Sequence, residues 1–213
     1  MVTYVLIPGA GCRPWHWHLL TAELQARGQE VIAVDLPCDD ESAGLSAYCD
    51  AVLAAAGEHT NLVIVAHSLG GFTAPAVCER LPVDLLVYVA GMIPNPREAV
   101  NDYWGHTEYD WDGDPESDYF FQDLPAELAA EARRRLRPQA GRPMGDPALF
   151  ERRPDIPTRA VIATDDLLFP AGYLRRLTTD RLGFTPAELP GGHFPMLGHP
   201  TELADLLESW RGA

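Results

Sequence analysis

The stretch Leu62-Val-Ile-Val-Ala-His-Ser68-Leu-Gly-Gly71 restricts the possible folds of this chain more than any other. An unbroken apolar run without polar alternation suits a strand covered on both faces, the situation of a parallel sheet between helices. Small residues, Ala66 and Gly70, stand two positions either side of Ser68. Only small residues tolerate an abrupt strand-to-helix turn, and such a turn lifts a serine hydroxyl to the carboxyl edge of the sheet. A serine there also makes an ordinary helix N-cap, but a cap needs neither small flanking residues nor distant partners. His67 reads as a packing or hydrogen-bonding neighbour, because adjacent strand residues point to opposite faces.

Similar apolar runs recur at Tyr4 to Ile7, Val31 to Leu36, Leu85 to Ala90 and Ala160 to Ala163. Helical patterns fall between and after them, at Trp15 to Arg27, Leu45 to Ala56, Leu69 to Arg80, Pro170 to Thr179 and Pro200 to Trp210. Strand and helix alternating at this spacing predict an α/β fold, a mostly parallel sheet flanked by helices, in a single domain over residues 1–213. The stretch from about 93 to 157 is too long for a connection and is expected to be a cap or lid insertion, with a helix from Pro125 to Leu136. Its first half mixes Tyr103, Trp104, Tyr109, Trp111, Tyr119, Phe120 and Phe121 with Asp102, Glu108, Asp110, Asp112, Asp114, Glu116 and Asp118. That mixture fits either an acidic surface loop whose aromatics cover the sheet or a substrate-lining cap.

A formal net charge of -15 argues against nucleic acid or anionic membranes, which need a basic face, and favours a small-molecule partner. All 16 basic residues are Arg, which excludes lysine chemistry. Four scattered cysteines without a Cys-x-x-Cys pair suit a reduced, cytoplasmic protein. No basic leader precedes the first apolar run, and no run approaches the roughly 20 residues that cross a bilayer, so neither export nor insertion is expected. The chain is expected to be a monomer or homodimer without cofactor.

A serine at its free pKa is a poor nucleophile; a histidine must take its proton, and an acid must fix that histidine's tautomer. The strand Ala160-Val-Ile-Ala runs into Thr164-Asp-Asp166, which supplies an acid: Asp166 by preference, Asp165 as runner-up, with helix capping as the role of the other. Pro190-Gly-Gly-His193 offers the base just before the last helix, a stronger candidate than His199 beside Pro200. The order Ser, Asp, His agrees with the strand-turn-helix serine motif. The first strand ends in Pro8-Gly-Ala10-Gly11, so the N–H groups of Ala10 and Leu69 are candidate oxyanion donors. A nucleotide loop is excluded, since neither Gly-x-Gly-x-x-Gly nor Gly-Lys-Ser/Thr is present. His16 and His18 are two apart on a helix, so they do not face one metal site, and no metal is expected.

Four segments resemble the α/β-hydrolases, in the branch of plant methylesterases, hydroxynitrile lyases and small bacterial esterases. They are Ile7-Pro-Gly-Ala-Gly-Cys-Arg-Pro-Trp15-His-Trp, Ala66-His-Ser-Leu-Gly-Gly, Thr164-Asp-Asp166-x-x-x-Pro170 and Gly192-His193-x-x-Met196-Leu. The resemblance implies a catalytic Ser68, His193 and Asp166 and a fold trimmed of the opening hairpin of larger members; Pro8 departs from the family's usual histidine. The family's lyases carry a lysine after the catalytic histidine, where this chain has Phe194 and no lysine anywhere. What remains is cleavage of a carboxylic ester or lactone through an acyl-enzyme. Trp15, Trp104, Phe121 and Phe194 are candidate lining residues, and the lack of Arg or Lys between Glu98 and Arg133 points to a neutral, moderately apolar substrate. A thioesterase of a biosynthetic pathway, a lyase or cofactor-free oxygenase, and a non-turnover binding protein are the alternatives.

Overall fold

The computed structural model describes residues 1–109 and 118–211. Trp111 and the acidic positions 110, 112, 114 and 116 lie outside the described residues. Among the described residues, six strands form one fully parallel sheet in the order β2-β1-β3-β4-β5-β6: β1 Thr3–Ile7, β2 Glu30–Ala33, β3 Leu62–His67, β4 Val83–Val89, β5 Thr158–Ala163 and β6 Ala187–Leu189. The α-helices are α1 His18–Ala26, α2 Leu45–Ala56, α3 Ala74–Cys78, α4 Val100–His106, α5 Ala126–Arg135, α6 Arg142–Gly145, α7 Ala171–Leu182, α8 Pro195–Gly198 and α9 Pro200–Ser209.

The apolar runs read as strands because both faces of each are covered, and the period of two sorts their side chains between two cores. Val5, Ile7, Ile64, Ala66, Leu86 and Tyr88 pack with α2, α3, α4 and α7 on one face. Tyr4, Leu6, Val63, Val65, Val87 and Val89 pack with α1, α5, α8 and α9 on the other.

Several elements differ from the sequence expectation, among them the helix expected over Trp15 to Arg27, which is a 3₁₀ turn, Pro14–Trp17, followed by α1. β2 ends at Ala33 instead of Leu36. The helix expected over Leu69 to Arg80 is a 3₁₀ turn, Ser68–Phe72, followed by α3. Gly70 and Gly71 favour the tighter turn, and Pro75, within the first turn of α3, has no N–H to continue a helix backwards. β6 has only three residues and was not foreseen.

The stretch between β4 and β5 serves both faces. Val100 and Tyr103 of α4 join one core, and Ala129 and Ala132 of α5 join the other. Its returning arm crosses the carboxyl ends of the first two strands, where the Arg137 N–H donates to the Gly11 carbonyl at 2.8 Å and the Ala140 N–H to Cys38 at 2.7 Å. No helix among the described residues is long and apolar enough to cross a membrane.

Candidate active site

β1 is flanked by β2 and β3, so the chain order reverses between β1 and β3. In open parallel sheets, ligands bind beyond the carboxyl ends of the strands at such a point. The turn after β1 and Ser68 after β3 meet there: a Cβ on Gly9 would stand 2.9 Å from the Ser68 Cβ.

Ser68 has φ 49°, in the left-handed region that costs a non-glycine residue energy, and it keeps 8% of its surface exposed. The turn is paid for by close packing. A Cβ on Gly70 would lie 2.8 Å from the carbonyl oxygens of Ile7 and Pro8, and one on Gly71 would lie 1.9 Å from that of Met92. The Met92 N–H in turn donates to the Ser68 carbonyl at 3.0 Å. Leu69 is the second residue of a helical turn, where an N–H has no intrahelical acceptor. Ala10 is exposed at the tip of the β1 turn, and the Gly11 N–H beside it is held by Gln139 Oε1 at 3.2 Å.

The two aspartates after β5 have different tasks. Asp166 is buried; its Oδ2 lies 2.7 Å from His193 Nδ1, and its Oδ1 accepts the N–H groups of Leu168 and Phe169 at 2.8 Å each. Asp165 is exposed and binds backbone: its Oδ2 accepts the Gly191 N–H at 3.1 Å, and its own N–H donates to the Gly191 carbonyl at 3.0 Å. His193 is fully buried, and its Nε2 makes no hydrogen bond among the described residues. With Nδ1–H donated to a carboxylate, Nε2 is the basic nitrogen of the neutral ring. His199 is instead the N-cap of α9, with Glu202 as its carboxylate neighbour at 3.7 Å.

His67 is packed against His193. Burial, and after it the nearby His193, push its pKa well below the ordinary value, so the ring is neutral and its Nε2–H donates to the His193 carbonyl at 2.9 Å. His16 is buried as well, with a pKa lowered chiefly by burial. It accepts the Arg13 N–H at Nδ1 and donates from Nε2 to the Ala132 carbonyl at 3.1 Å, which ties the segment before α1 to α5.

The candidate lining residues fall at different depths. Phe194 is buried against His67 and His193, with centroids 4.7 and 5.6 Å away. Phe121 is buried one ring further out, 4.6 Å from Phe194. Trp104 packs on Phe169, and Trp15 stacks on His18 beneath Arg135; no ring contact joins either tryptophan to His193. Two phenyl rings that touch His193 were not among the named lining candidates: Phe169, edge-on at 5.1 Å, and Phe120 at 5.8 Å. Position was the available signal for Phe169, between an acid and Pro170. Phe120 and Leu167 are two of the three exposed large apolar side chains among the described residues, at 38% and 47%. A cavity of about 330 Å³ lined by Val2, Leu85, Pro157 and Trp210 lies at the opposite, amino-terminal edge of the sheet and shares no residue with this cluster.

A model of the alpha/beta hydrolase family matches residues 4–206. The chain is 26% identical over 248 residues to norfluorocurarine synthase 2 of a Strychnos species, covering 96% of this chain and 93% of that protein. It is also 26% identical over 247 residues to methylesterase 7 of Arabidopsis thaliana, covering 96% and 94%. The crystal structure of polyneuridine aldehyde esterase superposes with a TM-score of 0.83 at 20% identity, over 98% of each chain, a likeness in fold.

Proposed function

This chain belongs to the alpha/beta hydrolase family of enzymes, and on that premise we propose that it is an esterase cleaving a carboxylic ester of a neutral, moderately apolar small molecule. The observation that carries the reading is the His193 ring, with Nδ1 2.7 Å from a buried carboxylate and a buried, unpartnered Nε2. Ser68 Oγ attacks the ester carbonyl while its proton passes to His193 Nε2, and Asp166 stabilises the resulting imidazolium. The N–H groups of Ala10 and Leu69 hold the oxyanion, each worth about 2.7–4 kcal/mol in the transition state. Collapse expels the alcohol, which takes the proton from His193. His193 then deprotonates a water that attacks the acyl-serine, and the carboxylic acid leaves with Ser68 restored. The relatives' names include both an esterase and a synthase, so the proposal concerns what this chain's own groups do.

Phe120, Phe169 and Leu167 offer the substrate apolar contact. Arg133, the cation of the insertion that lies over the Phe121 ring, is already paired with Asp118, which supports an uncharged substrate. The residues from about 93 to 157 are proposed to form the cap of a single domain. Labelling with a serine-reactive fluorophosphonate, followed by peptide mass spectrometry, tests the reading: modification at Ser68 that is lost in His193→Ala supports it. An unlabelled wild-type protein overturns it in favour of a non-hydrolytic or binding role.

A further inference from the structure

The loop Pro190-Gly191-Gly192-His193 carries the proposed base, yet Gly191 and Gly192 have no side chains with which to anchor it. Its backbone is held from outside. The Gly192 N–H donates to Asp123 Oδ2 at 2.7 Å, the Gly191 N–H to Asp165, and the His193 carbonyl accepts from His67. Asp123 is the one of these three holders that belongs to the insertion, 69 residues from its partner. Its carboxylate occupies a cradle of glycines. A Cβ on Gly191 would stand 2.7 Å from Asp123 Oδ2, one on Gly192 2.6 Å from Oδ1, and one on Gly198 3.0 Å from Oδ2. Three glycines close around one carboxylate leave room for that group and little else. Next to it, Gln122 Nε2 donates to the Asp165 carbonyl at 3.0 Å, so two consecutive residues of the insertion grip both the histidine loop and the acid's turn. Two residues upstream of that pair, the Phe120 ring touches His193.

We propose that Asp123 is a positioning residue for His193, through which the insertion sets the orientation of the base and makes catalysis depend on the insertion's placement. The proposal rests on the esterase reading. A carboxylate accepting a backbone N–H forms a charge-assisted bond that fixes direction as well as distance. Displacing a catalytic group by about 1 Å costs on the order of a hundredfold in rate, while substrate binding need not change. The substrate meets Phe120 on the same short segment, so its binding bears on the residues that hold the base.

The test combines steady-state kinetics on a neutral p-nitrophenyl ester with the rate of fluorophosphonate labelling at Ser68. Asp123→Ala is expected to lower kcat and the labelling rate by roughly ten- to hundredfold with KM nearly unchanged. Asp123→Asn keeps an acceptor oxygen for the Gly192 N–H and is expected to recover most of that loss. Gly192→Ala crowds the carboxylate and the Gln122 amide beside it, 2.6 and 2.5 Å from the added Cβ, without removing either. Its kcat loss should therefore combine with that of Asp123→Ala less than additively. Wild-type kcat in Asp123→Ala, or losses that simply add, overturns the proposal while leaving Ser68 labelling and the esterase reading intact. A protein unlabelled before any substitution overturns the esterase reading itself. If Asp123→Ala does not fold, Gly192→Ala decides alone: a lower kcat and labelling rate at nearly unchanged KM are expected, and wild-type values overturn the proposal.

Discussion

Ser68 and His193 stand at the same edge of the sheet but are held there by opposite means. The serine is fixed sterically: its strand, its turn and the carbonyls of Ile7, Pro8 and Met92 leave no space beside Gly70 and Gly71. The histidine follows a short edge strand and a glycine pair, and hydrogen bonds from three separate segments fix it. A steric anchor is local and tolerates no added atom. A polar anchor is remote and depends on the chemistry of a few atoms.

The largest expected effects test whether the two anchors serve one catalytic unit. On the proposed function, Ser68→Ala and His193→Ala should each lower ester turnover by roughly 10⁴–10⁶-fold, and the double variant should lose little more, as residues that act as one unit do. Additive losses in kcat/KM would separate the two residues into independent roles. Next comes the pair of aspartates. Asp166→Asn replaces the carboxylate on His193 Nδ1, disturbs the tautomer and should cost about 10³–10⁴ in kcat. In Asp165→Asn an amide oxygen still accepts the Gly191 N–H, and the loss should stay below about tenfold. Equal losses in parallel assays would mean that the 2.7 Å contact to His193 does not set the asymmetry.

The same contrast explains what the sequence disclosed. The central strands were legible because burial on both faces removes every polar residue from Val63 to Ala66. β6 was not, since three residues containing the exposed Glu188 make no run. Ser68 stands out as a candidate through its small neighbours, and Asp166 and His193 as candidates through their local segments, chain order and resemblance. Asp123 carries no local signature. Its partners are backbone N–H groups that look alike in any sequence, and only the fold brings position 123 to position 192. Phe120, in the insertion, and Phe169, in the turn after β5, were hidden for a similar reason, as an aromatic in either place serves equally well in a core.

A polar anchor of the insertion far from His193 sharpens the comparison. Glu98 and Arg181 form a buried pair at 2.5 Å, with Arg181 also donating to the Ile93 carbonyl at 2.6 Å. Burial alone would raise the Glu98 pKa, but Arg181, the Asn95 N–H and His106 outweigh it and hold the carboxyl below its ordinary value. In the wild type, then, the stability Glu98 contributes is present above the unfolded pKa of about 4.3 and is lost only as pH falls through the depressed value. Arg181→Met removes the buried guanidinium and leaves the Glu98 carboxylate with only the Asn95 N–H and the His106 ring among the partners named, at a cost of about 3–5 kcal/mol, roughly 10 °C in Tm. Loss of Arg181, the foremost of the partners that lower it, raises the folded pKa of Glu98 relative to wild type, so the Tm deficit should be largest near pH 7.5 and shrink as pH falls. A deficit constant with pH would assign the loss to packing instead. Turnover at 20 °C should stay within about twofold, since neither residue holds the histidine loop.

The smallest effect is the most direct probe of the steric anchor. In Gly71→Ala the new methyl would sit 1.9 Å from the Met92 carbonyl oxygen, and the chain segment that must yield is the one whose N–H holds the Ser68 carbonyl. Overpacking of this kind costs roughly 1–3 kcal/mol and should lower Tm by several degrees. Gly172→Ala in α7 is the matched control: nothing lies within 4 Å of its Cβ, so the better helix propensity should raise stability by about 0.5–1 kcal/mol. The labelling rate at Ser68 should fall in the first variant and not in the second. If Gly71→Ala lowers Tm but labels Ser68 at the wild-type rate, the tight packing stabilises the fold without setting the nucleophile, and the steric half of the contrast fails.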